Sequence, residues 1–275
     1  MSTIEYDPVK DKFSGIIKNS KVLRRLFYFL LDLFFLRSWH IRRLLRDIGN
    51  RFDEKGEWSI LDAGSGFGQY DRFILSNFKN VKVHSIDVKE EYLNDCRNYF
   101  RKDIQAERIK FEYADLLEFK STQKYDVIIC IDVLEHIEDD SRVIQNLANY
   151  LSDDGYFLMH SPSHYSEEDG NEEDTFVGEH ARSGYSKTDI ADKLFAADLI
   201  SEKVHYTYGY WGHKAWILSI KYPMIWFNHI GLMALLPLFV YYPLVMPFCF
   251  LMNVADLYTT NKKGNGIYAL AKKAV

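Results

Sequence analysis

The sequence predicts an α/β protein built on a doubly wound parallel sheet. Strand-length apolar segments alternate with segments of helical periodicity between residues 51 and 210. A cluster of glycines also follows the first of these strands directly, as in sheets that bind ligands at their carboxyl edge. The chain has 275 residues, a length that accommodates one large domain with additional helices.

Each element follows from its residue pattern. The segment 125–131 is almost entirely apolar, as expected of a central parallel strand, and the glycine turn separates the first strand from its helix. The predicted strands are 58–62, 81–87, 109–113, 125–131, 155–160, 200–208 and 266–272, and the predicted helices are 69–78, 90–100, 141–151 and 187–197.

Charge divides the chain into an acidic body and two basic ends. Residues 51–210 carry 18 Lys/Arg against 33 Asp/Glu, a net of −15. Residues 1–50 carry 10 against 5 and residues 211–275 carry 6 against 1, a net of +5 at each end. We therefore expect no nucleic-acid partner, and basic ends that suit an anionic membrane surface. The three cysteines form no C-x-x-C pair, which favours reduced thiols and a cytosolic environment.

The glycine turn and three strand ends predict a nucleoside site. Residues 64–68 hold three glycines, which let the chain turn tightly and expose backbone amides to a ligand. Asp62, Asp87 and Asp115 lie at the ends of three successive strands, and Asp87 is placed to accept both hydroxyls of a ribose. The third glycine comes one residue too early for a dinucleotide fingerprint, which disfavours a nicotinamide dehydrogenase.

The same segments resemble the motifs of class I S-adenosylmethionine (SAM)-dependent methyltransferases. ILDAGSGFG at 60–68 is similar to motif I, and SID at 85–87, YADL at 113–116 and DVIICIDVLEH at 126–136 follow in the family's order. The last stretch is similar to the small-molecule branch that includes quinone-biosynthesis and lipid methyltransferases. The resemblance covers about residues 50–210 and implies a Rossmann-like, seven-stranded sheet whose last strand is antiparallel, with SAM as cofactor.

The resemblance also assigns candidate cofactor residues. Asp62 and the glycine turn would hold the methionine part, Asp87 the ribose, and Asp115 with Leu116 the adenine. Residues 131–134 would line the wall near the sulfonium. The full set of expected cofactor contacts is Asp62, Gly64, Ser65, Gly66, Gly68, Asp87, Val88, Asp115, Leu116, Ile131 and Val133.

Four histidines lie where a methyl acceptor is expected. The methyl group of a sulfonium is already activated, so the protein aligns the acceptor and, for a hydroxyl or carbon nucleophile, supplies a general base. We favour His180 as this base, with His136 and His164 as alternatives. The residues predicted to contact the acceptor are Arg182, Tyr185, Tyr165 and His160. Each histidine also has a purely structural interpretation, as a cap, a satisfied strand end or a loop residue.

An acidic run at 167–174 is interpreted as a solvated loop. Six of its eight residues are Asp or Glu, and like charges at this density repel one another unless water surrounds them. A lid that disfavours anionic competitors and a divalent-ion site are the alternatives. No metal site is predicted.

Residues 222–255 form a 34-residue stretch without formal charge. One membrane-spanning helix needs about 20 apolar residues, and two crossings need about 40 plus a turn. An odd number of crossings is excluded, because the predicted strand 266–272 must return to the sheet. Pro237, Pro243 and Pro247 are expected to break the stretch near its middle. A re-entrant or interfacial helical hairpin fits these constraints, and a buried insert or dimer interface is the alternative.

A second apolar run, residues 26–36, contains Asp32 as its one charge and has basic flanks. Its eleven residues cannot span a bilayer but suit a helix in the headgroup region. A helix that caps the mouth of the active site is a compatible alternative.

Together these features predict four regions and one function. The regions are N-terminal cap helices at 1–50, a cofactor-binding core at 51–210, an apolar membrane-associating insert at 211–260 and the final strand at 261–275. We expect SAM-dependent methylation of a hydrophobic or amphipathic small molecule, such as a lipid, a prenylated quinone precursor or a glycolipid. The protein is expected to be peripheral or monotopic, on the cytoplasmic face of a membrane. A soluble small-molecule O-methyltransferase and a non-catalytic nucleoside-binding scaffold are the alternatives.

Overall fold

Seven strands form one sheet, in the order β3-β2-β1-β4-β5-β7-β6. The computed structural model describes residues 21–169 and 183–274. The strands are β1 Trp58–Ala63, β2 Val81–Asp87, β3 Ile109–Tyr113, β4 Tyr125–Ile131, β5 Leu151–Pro162, β6 Leu199–Thr207 and β7 Gly266–Lys273. The pairs β1–β2, β1–β4, β2–β3 and β4–β5 are parallel, whereas β7 is antiparallel to both β5 and β6. The predicted doubly wound, Rossmann-like sheet is therefore confirmed, together with its antiparallel last strand.

Helices cover both faces of this sheet. They are α1 Lys21–Phe34, α2 Leu36–Asp53, α3 Gln69–Asn77, α4 Glu90–Tyr99, α5 Arg101–Gln105, α6 Asp140–Ala148, α7 Lys187–Ala196, α8 Tyr210–Trp216, α9 Tyr222–Ile230 and α10 Leu235–Tyr258. Because successive strand residues face opposite sides, Leu61 and Ile128 join the core under α6 and α7. Ile60 and Val127 join the core under α2 and α3.

The N-terminal cap helices are present as two separate helices. The predicted apolar run at 26–36 is interrupted at Phe35, which has extended backbone angles and ends α1 before α2 begins. α2 packs on the sheet through a stripe of buried residues at helical spacing, which includes Ile41, Leu45 and Ile48. α1 buries Arg24 and Tyr28.

The apolar insert forms the predicted helical hairpin, residues 210–258. Its first arm is α8, a π-helical turn at Ile217–Lys221 and α9, and its second arm is α10. A π-helical turn leaves carbonyls without their usual partners, and two hydroxyls from the second arm reach this turn. Tyr241 Oη donates to the Leu218 carbonyl at 2.8 Å, and Tyr242 Oη donates to the Ser219 carbonyl at 3.1 Å.

The predicted break at the prolines is wrong, because the chain reverses at Gly231 instead. Gly231 has φ +57°, a backbone angle that glycine adopts without strain. Pro237 lies in the first turn of α10, where a helical amide has no intrahelical partner in any case. Pro243 and Pro247 lie inside α10, where each removes one helical hydrogen bond without ending the helix.

The boundary between the predicted helix 141–151 and the following strand also differs from its prediction. The predicted helix 141–151 ends at Ala148, and Leu151 instead begins β5, where it pairs with Tyr125. The pairing is irregular there, since the register of β4 and β5 shifts between Tyr125 and Val127. Leu151 continues the apolar spacing of the helix by one more turn, but its backbone pairs with β4 and it therefore belongs to the sheet.

Candidate functional site

The glycine turn is closed on one side and open on the other. Gly64, Gly66 and Gly68 all have positive φ, of 88°, 52° and 72°. A Cβ added at Gly64 would lie 2.3 Å from Cγ2 of Val133, so the turn packs directly against the segment that follows β4. A Cβ at Gly66 would meet nothing within 4 Å. The open side at Gly66 is where a ligand can approach the backbone.

Asp87 is held beside this open side. One carboxylate oxygen accepts the Gly66 amide at 2.8 Å and the other accepts the Lys89 amide at 2.8 Å. Burial raises the pKa of Asp87, although these amides oppose the shift. Val88 follows with 41% of its surface exposed. The end of β2 therefore presents a fixed carboxylate next to an exposed aliphatic side chain.

Asp115 and Leu116 lie one strand further along the same edge. The Asp115 side chain accepts the Leu117 amide at 2.9 Å, which shapes the loop after β3. Leu116 is buried in the core on the α6 side. Asp115 itself stays exposed, so its backbone and side chain remain accessible at the edge.

Buried polar atoms without partners cluster beneath the turn. Among the described residues, the buried Ser65 hydroxyl has no hydrogen-bond partner, and the buried oxygens Asp62 Oδ2 and Asp71 Oδ2 accept from no N–H group and no hydroxyl group. An unpaired buried polar atom is costly, and such atoms gathered in one place fit a polar ligand that completes them.

Asp62 and Asp71 form a buried acidic pair within this cluster. Burial raises the pKa of Asp62 well above its usual range, and the neighbouring Asp71 raises it further. Burial also raises the pKa of Asp71 to about 6, while a hydrogen bond donated by Ser85 Oγ at 2.8 Å opposes the rise. Two carboxyl groups this close favour one shared proton, so a positively charged ligand group would stabilise the pair.

A second polar group, the edge cluster of Arg37, Asp132, His160 and Thr207, lies where β4 and β5 end. Asp132 forms an ion pair with Arg37, and it adopts φ +54°, an uncommon angle for a residue other than glycine. His160 Nδ1 lies 2.5 Å from Asp132, and its Nε2 lies 3.2 Å from Thr207 Oγ1. Burial and the Arg37 charge lower the pKa of His160 to about 3, so the ring is neutral and donates from Nδ1.

The predicted acceptor residues are brought together only in part. Both ring nitrogens of His160 are engaged, so His160 orients Asp132 and is not free to contact an acceptor. Tyr185 is fully buried and donates its hydroxyl to Asp140 at 2.6 Å, which argues against a direct contact with an acceptor. The rings of His164 and Tyr165 contact each other, with centroids 3.9 Å apart and planes inclined by 39°.

Of the other two candidate bases, the structure describes His136 but not His180. His136 ends a short 3₁₀ turn, Leu134–His136, five residues beyond β4, and is half-buried. His180 and Arg182 lie outside the described residues, as does most of the acidic run 167–174. The assignment of the base stays a prediction. In the described ranges no cluster of three or more His, Cys, Asp or Glu side chains could hold a metal ion.

Arg24 and Tyr28 of α1 form a clamp on the glycine turn, a contact that the sequence analysis does not predict. Tyr28 Oη donates to the Phe67 carbonyl at 2.5 Å, and Arg24 donates to the same carbonyl at 3.0 Å. Arg24 also donates to the Asp95 carbonyl and to Cys96 Sγ, at 3.0 and 3.2 Å. The sequence signal was present in the i, i+4 spacing of Arg24 and Tyr28, which places two polar side chains on one face of an apolar helix.

Comparison with known proteins identifies this assembly. A family model described as a methyltransferase domain matches residues 54–209. The chain belongs to this methyltransferase-domain family. Its fold is that of class I SAM-dependent methyltransferases, and SAM is its cofactor.

The methyltransferase domain also has relatives among curated proteins. It is 26% identical over 116 residues to a ubiquinone biosynthesis O-methyltransferase of Rickettsia canadensis, covering 42% of this chain and 48% of the relative. It is 24% identical over 112 residues to a malonyl-[acyl-carrier protein] O-methyltransferase of Acetivibrio thermocellus, covering 41% of this chain and 38% of the relative. The match thus spans about half the length of these relatives or less.

Solved structures share the methyltransferase fold at low identity. An S-adenosylmethionine-dependent methyltransferase from Clostridium acetobutylicum superposes with a TM-score of 0.57 at 15% identity, covering 97% of this chain and 100% of the other. The [4+2]-cyclase SpnF superposes with a TM-score of 0.58 at 16% identity, covering 85% and 81%. These matches confirm the fold.

The glycine turn at 64–68, the acidic pair Asp62 and Asp71, and Asp87 form what we call the cofactor cradle, and these residues fit SAM chemically. The acidic pair under the turn suits the cationic amino group, the unpartnered Ser65 hydroxyl suits its carboxylate, and Asp87 suits the ribose hydroxyls. Ile131 is the last residue of β4, and Val133, two residues later, packs against Gly64 of the turn. The individual contacts remain predictions.

Proposed function

We propose that this chain methylates a hydrophobic or amphipathic small molecule at a membrane surface. The main support for the proposal is the packing of an exposed apolar hairpin onto α2. The first residues of α2 lie near the carboxyl ends of β4 and β5, at the edge of the sheet where the cofactor is expected to bind. The fold alone would not carry it, because SpnF shares the fold and is a [4+2]-cyclase. The name of the Rickettsia relative, a ubiquinone biosynthesis O-methyltransferase, supports an amphipathic acceptor.

The exposed surface of the hairpin is more apolar than is usual for a surface that faces water. The helical stretch Tyr210–Tyr258 is long and apolar enough to cross a membrane by length and composition, and only 11% of its most apolar 18-residue segment is buried. Phe239, Leu236 and Leu232 expose 82%, 75% and 74% of their surfaces. Moving each of these side chains into hydrocarbon would contribute roughly 1–2 kcal/mol. A lipid surface is the environment that this composition favours.

The length of the charge-free tip favours insertion into one leaflet. The first arm carries its last charge at Lys221, ten residues before the reversal at Gly231. At 1.5 Å per residue this segment extends about 15 Å. The hydrocarbon core of a bilayer is about 30 Å thick, so the tip matches half of it.

The base of the hairpin is joined to α2 through buried contacts. A Cβ at Gly212 would lie 2.4 Å from Leu36, so the two helices touch closely. Asp256 of the second arm accepts the Gly212 amide at 3.1 Å and lies 3.4 Å from His40 of α2. Burial lowers the pKa of His40, while Asp256 opposes the shift.

The same helix reaches the edge cluster. Arg37, three residues before His40, forms the ion pair with Asp132. The ring of Phe34, just before the α1–α2 break, meets Tyr242 of the hairpin with centroids 5.5 Å apart. An acceptor that leaves the lipid beside the hairpin would therefore pass the helices that cover the cofactor edge.

The chemistry requires alignment more than activation. Bound SAM would supply an electrophilic methyl group, and the glycine turn with Asp62 and Asp87 would hold the cofactor in position. Arg37 and neutral His160 hold the Asp132 carboxylate at the exit of β4, where it can orient an acceptor. The buried free thiols Cys96, Cys130 and Cys249 support a reducing, cytoplasmic side of the membrane.

Methyl transfer from labelled SAM to a total membrane lipid extract tests the proposal. We expect the label in an organic-soluble product whose mass identifies the acceptor, and we expect Asp62→Ala to abolish it. Label that enters only water-soluble products would overturn the membrane part. Binding of SAM without transfer to any extract fraction would leave a non-catalytic scaffold.

Flotation with phosphatidylcholine vesicles tests the surface directly. Phe239→Asp is expected to reduce flotation of the full chain strongly. Phe195→Asp, on α7, is the matched control, because Phe195 exposes 77% of its surface but lies outside the hairpin. Equal flotation of the two variants would contradict the proposed contact surface.

A further inference from the structure

An arginine-lined cleft lies between the N-terminal helices and the hairpin. It has a volume of about 720 Å³ and is formed by residues of α1, α2, α3 and α10. Its charged wall consists of Arg42, Arg43, Arg46 and Arg72, together with Asp32 and Asp47. None of the lining residues belongs to the cofactor cradle or to the edge cluster, so the cleft is a separate site.

The acidic side chains neutralise only part of this wall. Asp32 forms ion pairs with Arg42 at 2.9 Å and with Arg72 at 3.7 Å. Within the described residues, no carboxylate pairs with Arg43 or Arg46. Four guanidinium groups face two carboxylates, which leaves a net charge of +2 in the cleft. An anion is the kind of ligand that would neutralise this charge.

The two unpaired arginines are held in place by other contacts. The Arg43 guanidinium lies 4.7 Å from the Tyr258 ring centroid and donates to the Leu257 carbonyl at 3.2 Å. The Arg46 guanidinium lies 5.3 Å from the centroid of Phe73. Stacking on a ring fixes the plane of a guanidinium and leaves N–H groups free to bind a planar or tetrahedral oxyanion.

The rim of the cleft is apolar and continuous with the hairpin. Trp39 and Phe250 meet across it with ring centroids 5.1 Å apart. Phe29 of α1 and Phe250 of α10 line the cleft and expose about half of their surfaces. A ligand with a charged head and an apolar body matches a basic wall beside an apolar rim.

We propose that this cleft binds the phosphate group of an anionic membrane lipid. The proposal rests on the membrane association proposed above and adds a specific headgroup site to it. The phosphate contacts Arg43 and Arg46 while the acyl chains follow the exposed rim. Nucleic acid, which offers phosphates without an apolar body, is disfavoured by the rim and by the net charge of −15 on residues 51–210.

Vesicle flotation of the full chain tests the site, with phosphatidylcholine alone compared with mixtures containing phosphatidylglycerol. The wild type is expected to float better with the mixture. Arg43→Gln/Arg46→Gln is expected to weaken binding to the mixture about tenfold or more, since each basic residue near an anionic surface contributes measurably. Binding to phosphatidylcholine alone should not change, because the apolar hairpin is intact.

A matched control separates a site from general charge. Arg101→Gln/Lys102→Gln removes two exposed basic residues on α5, away from the cleft, and is expected to retain the preference for the mixture. The single variant Arg46→Gln guards against misfolding, because in the described residues Arg46 only stacks on an aromatic ring. A partial loss with this variant supports the site.

The remaining outcomes overturn the proposal. A wild-type protein that floats equally with both vesicle types keeps its membrane contact but has no anionic headgroup site. Equal losses in the cleft and control variants indicate general electrostatics. If no vesicle is bound, but glycerol phosphate in solution raises the unfolding temperature of the wild type and not of Arg43→Gln/Arg46→Gln, the cleft takes a soluble phosphate instead.

Discussion

Replacement of Asp71 by Asn should stabilise the protein at neutral pH. Asp71 is buried in contact with Asp62, and burial raises its pKa to about 6. An unfolded chain has a carboxyl pKa of about 3.9. Asp71 is thus protonated more readily in the folded state, and the folded state loses stability as the pH rises from about 4 to about 6.

The difference of roughly two pKa units corresponds to about 3 kcal/mol at pH values above both pKa values. Asparagine has the same shape and carries no charge. Its carbonyl can accept from Ser85 as Asp71 does, and its amide can donate to Asp62. We therefore expect Asp71→Asn to raise the free energy of unfolding by up to about 3 kcal/mol at pH 7.5, with the gain falling to near zero below pH 4.

Urea unfolding at several pH values measures this gain. Asp53→Asn is a control of opposite sign, because hydrogen bonds from Asn80 and Trp58 lower the pKa of Asp53 despite some desolvation. Loss of those bonds should destabilise the protein at neutral pH and have less effect in acid. A variant Asp71→Asn that is no more stable than the wild type at pH 7.5, or whose gain persists unchanged at pH 4, would show that Asp71 carries no destabilising buried charge.

Three further substitutions address the cradle and the edge cluster. Tyr28→Phe removes one of the two donors to the buried Phe67 carbonyl and leaves Arg24 as the other, so it should cost about 0.5–1.5 kcal/mol in urea unfolding, with weaker SAM binding by calorimetry; unchanged SAM affinity would separate the clamp from the turn. Gly64→Ala forces a Cβ to 2.3 Å from Val133 and should lower stability by about 2 kcal/mol or more; a neutral effect in the same assay would contradict the close packing. Asp132→Asn should lower turnover and alter the pH profile without weakening SAM binding, and an unchanged profile would exclude Asp132 from acceptor alignment.

The sheet could be predicted from the sequence because its strands are marked locally. The apolar run of β4 and the polar turn after β1 are set by residues that neighbour each other in the chain, and the bounds of β2, β3 and β4 match their predictions. The end of α6 could not be predicted in the same way. Leu151 fits a helical pattern equally well, and only pairing with Tyr125 across the sheet assigns it to β5.

The sequence predicts the site residues that belong to one local motif. It does not predict the contacts between segments that are distant along the chain. Asp62 and Asp87 lie in strand-end motifs, whereas the Arg37–Asp132 ion pair joins residues 95 positions apart. Asp71 has no motif of its own, and its meaning depends on its burial beside Asp62. His160 and Tyr185 were identified by their position along the chain, but side-chain burial decides whether such residues can touch a ligand.

Cofactor binding and membrane binding should be coupled, because α1 has a role in both. Its inner face holds the Phe67 carbonyl of the glycine turn through Arg24 and Tyr28. Its outer face exposes Val22 and Phe29, with 73% and 56% of their surfaces accessible. If lipid contact favours the position of α1 that closes the turn, vesicles will tighten SAM binding, and linkage requires SAM to tighten vesicle binding by the same factor. Calorimetry with and without vesicles, and flotation with and without SAM, measure the two factors. In Tyr28→Phe both factors should fall toward one, and a coupling that survives this substitution would show that it does not pass through α1.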